Sequence, residues 1–363
     1  MQIEAPAAAI VRIDLDALAS NYRLLCRQAV PAECAAVVKA DGYGLGISGI
    51  VRRLLREGCR KFFVATLAEV AELRALAPDV SIYVLEGAVL AAVDELVALR
   101  ATPVLSSLEQ IERWRGRGRA LLHIDTGMSR LGLSAAEVRA LAGKKDPLQG
   151  IELEYVLTHL ACADEPEHPQ NRGQLALFDE LRRLLLPAKT SIGNSAATFI
   201  DAAHRGDLVR PGIALYGGNP FVDRANPMAC VVTLLAPILQ IREIESEAVT
   251  VGYGATYVAK PPARLAVLGS GYADGYPRSL GNRASAALNG RRVPVVGRVS
   301  MDLICVDVSA LPRDSVRVGD FVELIGPTVG LDEVAEAAGT ISYEILTGLG
   351  KRLIRQYVER EKA

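Results

Sequence analysis

From residue 33 to about 212 the chain alternates between two hydrophobic rhythms. Short runs rich in β-branched and aromatic residues are followed by longer stretches with apolar positions at helical spacing. The strand-like runs are CAAVVK (34–39), KFFVAT (61–66), SIYVLE (81–86), TPVL (102–105), ALLHID (120–125), LEYVLTH (153–159), KTSIGN (189–194) and DLVR (207–210). Amphipathic helical patterns separate most of them. One opens with Thr66 and, three residues on, Glu69, a capping-box spacing. Eight strands alternating with helices imply parallel strands joined by crossovers. Eight is also the number that closes a (β/α)8 barrel. An open doubly wound sheet is the competing arrangement, but no G-x-G-x-x-G follows the first strand. A barrel is therefore the expectation.

After about residue 228 the rhythm changes. The runs at 230–244, 248–259, 264–276, 284–309 and 320–326 read as strands broken by Gly or Pro turns, with Asn289-Gly290 as a hairpin turn. Only 331–339 and a short terminal stretch look helical. The composition shift falls in GGNPFVDRANP (217–227). The expected class is α/β, with an N-terminal (β/α)8 TIM-like barrel over 1–228 and a C-terminal, mainly β domain over 229–363. The first ten or so residues are free to pack with the second domain.

A length of 363 residues suits two domains. Forty-one basic residues balance 42 acidic ones. That leaves no electrostatic footprint for nucleic acid and no polybasic segment for a membrane surface. No window approaches the roughly 18 apolar residues of a membrane span. The N-terminus lacks the basic start and long apolar run of a signal peptide. A soluble, cytoplasmic protein is expected. The six cysteines form no C-x-x-C pair and the four histidines no H-x-x-x-H pair, so neither a metal site nor a disulfide framework is expected.

In a barrel, chemistry sits at the C-terminal ends of the strands and in the loops beyond them. Lys39 ends the first strand run. His123 and Asp125 end the fifth, with Arg130 in the following loop. His159 ends the sixth, Asn194 and Ser195 the seventh, and Arg210 the eighth. The alignment points to one site at one mouth. A lysine ending an apolar strand is unusual, because a buried ammonium is expensive. It is either a side chain whose head escapes to solvent or a lysine bonded covalently to a carbonyl. Barrels often build phosphate sites from the loops after strands seven and eight. Here those loops read GNSAAT (193–198) and RPGIALYGG (210–218), where Ser195 and the backbone at Gly212 and Ile213 can donate. Asn194-Ser195 reads equally well as a helix N-cap.

The blocks VVKADGYG (37–44), HIDTGMSRLG (123–132), THLACAD (158–164), NSAAT (194–198), RPGIALYG (210–217), VGYGATY (251–257), GYADGYPR (271–278), GRVSMD (297–302) and ISYE (341–344) resemble, in order, the signature blocks of bacterial alanine racemases. That resemblance covers nearly the whole chain. It implies a barrel followed by a β domain, pyridoxal 5'-phosphate (PLP) as cofactor, L- or D-alanine as substrate, and a head-to-tail homodimer with shared active sites. Lys39 resembles the lysine that anchors the cofactor, and Tyr253 the catalytic tyrosine that reaches in from the other subunit. Arg210 resembles the arginine facing the pyridine nitrogen, and His159 the residue that stacks on the ring and bonds to that arginine. Tyr43, Ser195, Gly212, Ile213 and Tyr343 match the phosphate ligands. Arg130 and Met301, the latter again from the partner, match the substrate-carboxylate site. Tyr272 matches a tyrosine guarding substrate entry.

The chemistry implied is removal of the α-proton by one group and its return by another on the opposite face. Lys39 needs a depressed pKa for this, supplied by desolvation or a nearby cation. A tyrosine hydroxyl needs a neighbouring arginine to favour its phenolate, and for Tyr253 the candidate is Arg130. Arginine at the pyridine nitrogen keeps that nitrogen unprotonated, which disfavours transamination. One departure stands out. Many relatives carry a carbamylated lysine two residues before the D-T-G block, and here that position is His123. A histidine keeps no stable carbamate, so the anionic partner of Arg130 is missing or is replaced by another anion. Two other readings compete. A decarboxylase on the same barrel usually carries an acidic residue toward the pyridine nitrogen and a C-terminal cysteine motif, where this chain has Arg210 and the G-Y-G-A-T-Y block. A non-catalytic PLP carrier resembles the barrel alone, whereas this chain keeps a whole β domain.

Overall fold

The computed structural model describes residues 8–359. Seven parallel strands form one curled sheet in chain order: Ala36–Val37, Lys61–Val64, Ser81–Val84, Thr102–Leu105, Gly118–His123, Ile151–Leu157 and Lys189–Ser191. The eighth strand, Leu208–Val209, pairs in parallel with Glu33–Cys34, the upstream half of the first strand. The Ala35 and Val37 amides continue that ladder, donating to the carbonyls of Val209 and Pro211 at 3.0 Å each. Irregular bonds from Asp207 to Thr190 (2.7 Å) and from Arg210 to Gly193 (2.7 Å) join the eighth strand to the seventh. The ring therefore closes.

The strands read as continuous apolar runs because both of their faces are covered. In Lys61–Val64, Ser81–Val84 and Thr102–Leu105 every residue after the first is buried. Leu67–Leu76 begins with the expected capping box, Thr66 Oγ1 accepting the Glu69 amide at 3.3 Å.

The second domain is an eight-stranded sheet built around the 13-residue strand Val232–Ile244. Its first half pairs with Ile10–Asp14 and Phe321–Ile325, and its second half with Ala263–Leu268. The exchange of partners falls beside Pro237, where the ladder is irregular. Ser285–Leu288 and Arg291–Val296 form the expected hairpin through Asn289 (φ 52°) and Gly290 (φ 73°). Ile10–Asp14 also pairs in parallel with Ile354–Val358. The chain thus runs from the second domain's sheet into the barrel and back. Of the terminal stretch, Ser342–Thr347 is a helix and Ile354–Val358 a strand.

One apolar core runs through both domains, so the barrel mouth and the C-terminal segment are packed against each other. Among the described residues no helix is long and apolar enough to cross a membrane. Among them, too, no group of three His, Cys, Asp or Glu side chains is placed to hold a metal ion.

Candidate active site

A cavity of about 530 Å³ opens at the C-terminal mouth of the barrel. Lys39, Tyr43, Arg130, His159, Ser195, Arg210, Gly212, Ile213 and Tyr343 all line it, together with His123. Tyr253, Tyr272 and Met301 do not. They stand on turns of the second domain, 69%, 41% and 52% exposed.

Lys39 leads into an unusual stretch of backbone. Ala40, Asp41, Gly42, Tyr43 and Gly44 have φ of 53°, 54°, 61°, 58° and 80°, a left-handed turn. Three of the five carry side chains, each costing about 1–2 kcal/mol there. Neighbouring groups hold it. Glu69 Oε1 accepts the Ala40 amide at 2.6 Å while its Oε2 accepts that of Ala65, also at 2.6 Å. Asp41 Oδ1 accepts the Ile47 amide at 2.7 Å. Arg355 donates twice to the Gly44 carbonyl, at 3.0 and 2.7 Å, and the Tyr357 hydroxyl donates to that of Leu45 at 2.8 Å. Burial, and next the positive charge of Arg130, depress the Lys39 pKa.

Arg210 lies wholly inside. It donates to Ser191 Oγ (2.5 Å), Thr158 O (2.8 Å), Ile192 O (3.3 Å) and His159 Nδ1 (3.3 Å). Its guanidinium also faces the Phe63 ring at 5.9 Å. All of these partners are neutral. Burial pushes its pKa down to about 10, which still leaves it charged at neutral pH. Because arginine only donates, Nδ1 of His159 is the acceptor and its proton resides on Nε2. Burial and Arg210 together drive the His159 pKa well down, which keeps the ring neutral.

The phosphate candidates form a cradle. Ser195 Oγ accepts the amides of Gly212 (2.9 Å) and Ala214 (3.3 Å), which leaves its own proton to donate elsewhere. A Cβ on Gly212 would stand 2.0 Å from the Tyr43 hydroxyl, so only glycine admits that tyrosine here. Tyr43 stacks on Tyr216 at 4.6 Å and lies 6.0 Å from Tyr343. Burial raises both Tyr43 and Tyr343, the latter to about 12 with help from Asp164, so both keep protons to donate.

Arg130 is exposed at the rim, and among the described residues no carboxylate pairs with it. Asp125 shapes its loop, Oδ1 accepting the amides of Gly127, Met128 and Ser129 at 2.9, 3.0 and 3.1 Å. Burial opposes the charge on Asp125, but those amides hold its pKa low. Buried Gln174 ties this loop to the neighbouring strand, donating to Thr126 Oγ1 (3.2 Å) and His159 O (3.0 Å). Gln174, Arg355 and Tyr357 were missed from sequence, since each acts on backbone far away in the chain. Glu69 was legible only as a helix cap.

Residues 13–220 match the family model described as alanine racemase, N-terminal domain, and 231–357 the corresponding C-terminal domain. The chain is 47% identical over 360 residues to an alanine racemase of Rhodospirillum rubrum, covering 97% of this chain and 96% of that one. It is 45% identical to a catabolic alanine racemase of Agrobacterium fabrum (97% and 93% covered) and 44% identical to the biosynthetic one of the same organism (95% and 93%). The crystal structure of an alanine racemase from Bartonella henselae with covalently bound pyridoxal phosphate superposes with a TM-score of 0.92. It shares 40% identity and covers 97% of this chain and all of that one.

Proposed function

The chain belongs to the alanine racemase family, and from that premise we propose that it interconverts L- and D-alanine with Lys39 and the partner subunit's Tyr253 as acid/base groups on opposite faces of the substrate. It is a racemase that uses pyridoxal 5'-phosphate. The cavity suits that group. It supplies a lysine, a serine hydroxyl with a free proton, two protonated tyrosines and a Gly212 backbone that no side chain screens. Lys39 would hold the cofactor covalently. Tyr43, Ser195, Gly212, Ile213 and Tyr343 would take its phosphate, with His159 and Arg210 at the ring. When bound, the cofactor supplies an electron sink that acidifies the substrate's α-proton.

This chain's own residues set the rest. Lys39, with its proton affinity reduced by burial and by Arg130, serves as base on one face. Arg130 binds the substrate carboxylate and favours the phenolate of a tyrosine brought beside it. Arg210 is charged, immobilised by four neutral acceptors and unable to accept a proton. Placed against the cofactor's ring nitrogen, such a side chain would withhold a proton there and would favour return of the substrate proton to Cα.

The observation that carries the two-subunit reading is the one-sidedness of the cavity. Its own chain lines it with Lys39 and Arg130, while Tyr253 and Met301 stand exposed elsewhere. A cytoplasmic homodimer is part of the same proposal. The product serves either peptidoglycan synthesis or, in reverse, alanine breakdown. The near-equal identities to catabolic and biosynthetic relatives favour neither role.

The test is incubation of the protein and cofactor with L-alanine, followed by chiral chromatography. D-Alanine approaching an even mixture is expected. Retained cofactor with no D-alanine would overturn the substrate assignment.

A further inference from the structure

The face of the second domain that bears Tyr253, Tyr272 and Met301 is built from three turns fastened into one piece. The Tyr272 amide donates to the Ser300 carbonyl and the Ala273 amide to that of Met301, each at 3.0 Å. These bonds lock the 271–276 turn to the 300–303 turn. Asn282 fastens the third. Its side-chain nitrogen donates to Thr256 Oγ1 at 3.0 Å, and its oxygen accepts the Gly297 amide at 2.6 Å.

One side chain grips two of these turns from below. Arg352 donates through two nitrogens to the carboxylate of Asp274, at 2.9 and 3.0 Å. Asp274 is only 6% exposed, and its Oδ2 also accepts the Gly271 amide at 3.0 Å. The remaining nitrogen of Arg352 donates to Asp302 Oδ1 at 2.7 Å, in the residue next to Met301. The Gly350 amide adds a bond to the Asp274 carbonyl at 2.9 Å. A planar fork can span two carboxylates in this way, whereas a lysine cannot.

Arg352 supports the buried Asp274 carboxylate, but its second bond, to Asp302, joins two exposed groups and contributes little to stability. What the fork does fix is where Tyr272 and Met301 point. Both are exposed and have no task in the cavity of their own chain. Groups that must meet a reacting centre need that kind of support.

We propose that Arg352 is a positioning residue for racemisation, holding the Tyr272 and Met301 turns in the pose in which a second copy of this chain receives them. The inference rests on the shared-site reading above, and mixed dimers separate the two. Differently tagged chains are co-expressed, and the cofactor-loaded mixed dimer is isolated. The Arg352→Ala homodimer should keep the cofactor absorbance that reports on Lys39 yet lose about 10²-fold in kcat, the scale of a 1 Å misplacement. Mixed with Lys39→Ala chains, it should regain about half the wild-type kcat. One site then joins an intact Lys39 pocket to intact turns. Lys39→Ala mixed with Tyr253→Phe is the control for sharing itself. If that control recovers and the Arg352→Ala mixture does not, Arg352 acts within its own pocket or on folding alone, and the proposal fails. If neither recovers, the shared site falls and the proposal with it. A wild-type kcat in the Arg352→Ala homodimer overturns it as well. Should Arg352→Ala not fold, the same mixing with Asp302→Asn, at an exposed position, decides the matter.

Discussion

His123 occupies the place where a charged partner for Arg130 would be expected, and its charge can be tested through stability. Burial, and next the positive charge of Arg210, push its pKa down to about 4. An unfolded histidine titrates near ~6.5. Between those values the unfolded chain holds a proton at this residue that the folded chain does not. Stability therefore rises with pH in that window and is lost on acidification. From pH ~7.5 to ~5, a shift from 6.5 to 4 removes about 2 kcal/mol of folding free energy. That figure is a ceiling, because part of the ring faces the cavity and keeps some water. The perturbation is His123→Asn, which removes the titration and roughly preserves size. The assay is urea unfolding of the cofactor-free protein at both pH values and one fixed protein concentration, because an oligomer's stability depends on concentration. His159 is also held neutral, but it contributes to both proteins and cancels to first order. Wild type should lose more than His123→Asn on acidification, by up to about 2 kcal/mol. Parallel losses in the two would refute the claim that the fold keeps His123 neutral.

Because an imidazole keeps no stable carbamate, activity should be indifferent to added bicarbonate; a strong dependence in steady-state rates would show that an anion formed from it occupies the loop. Tyr253→Phe should slow α-proton exchange with deuterated solvent from one enantiomer more than from the other, and equal wild-type rates from both would remove Tyr253 from the chemistry. Gly212→Ala should weaken retention of the cofactor by about 10–100-fold, since the new Cβ would lie 2.0 Å from the Tyr43 hydroxyl and 2.8 Å from Cζ and must displace that ring. A titration of the cofactor-free protein giving an unchanged Kd would mean that Tyr43 is no part of the cradle.

Much of the barrel was legible because a strand covered on both faces must be apolar throughout, and a run such as Lys61–Val64 can be read without knowing its neighbours. The same logic exposed the site. A polar residue at the end of such a run, such as Lys39, His159 or Arg210, has no local reason to be there. What escaped depends on partners distant in sequence. Packing of the first residues on the second domain was legible, but not that Ile10–Asp14 would lie between Val232–Ile244 and Ile354–Val358, which no nearby residue announces. The left-handed turn after Lys39 was only half legible. Gly42 and Gly44 suggest a tight loop, but Ala40, Asp41 and Tyr43 share the same backbone region against their own preference. Glu69, Arg355 and Tyr357 hold them there, the last two from about 310 residues away.

That braced turn and the charge of the cavity explain each other. Beside the protonated Tyr43 and Tyr343, the ionisable lining is Lys39, Arg130, Arg210 and Glu86 with two histidines, and His123 and His159 are both driven toward neutrality. Three cations thus face one carboxylate in a partly desolvated space. An unbraced lysine would swing its ammonium to water and escape the repulsion. The turn opposes this by fixing the backbone on the C-terminal side of Lys39 through Glu69 and Arg355. A lysine bonded to the cofactor would no longer present a free ammonium, the cofactor's phosphate would add negative charge, and a substrate carboxylate would add more beside Arg130, where we propose that it binds. That excess of cations is what an anionic cofactor and an anionic substrate group would require, and the bonds from Glu69 and Arg355 that brace residues 40–44 keep Lys39 at the mouth where both would meet it.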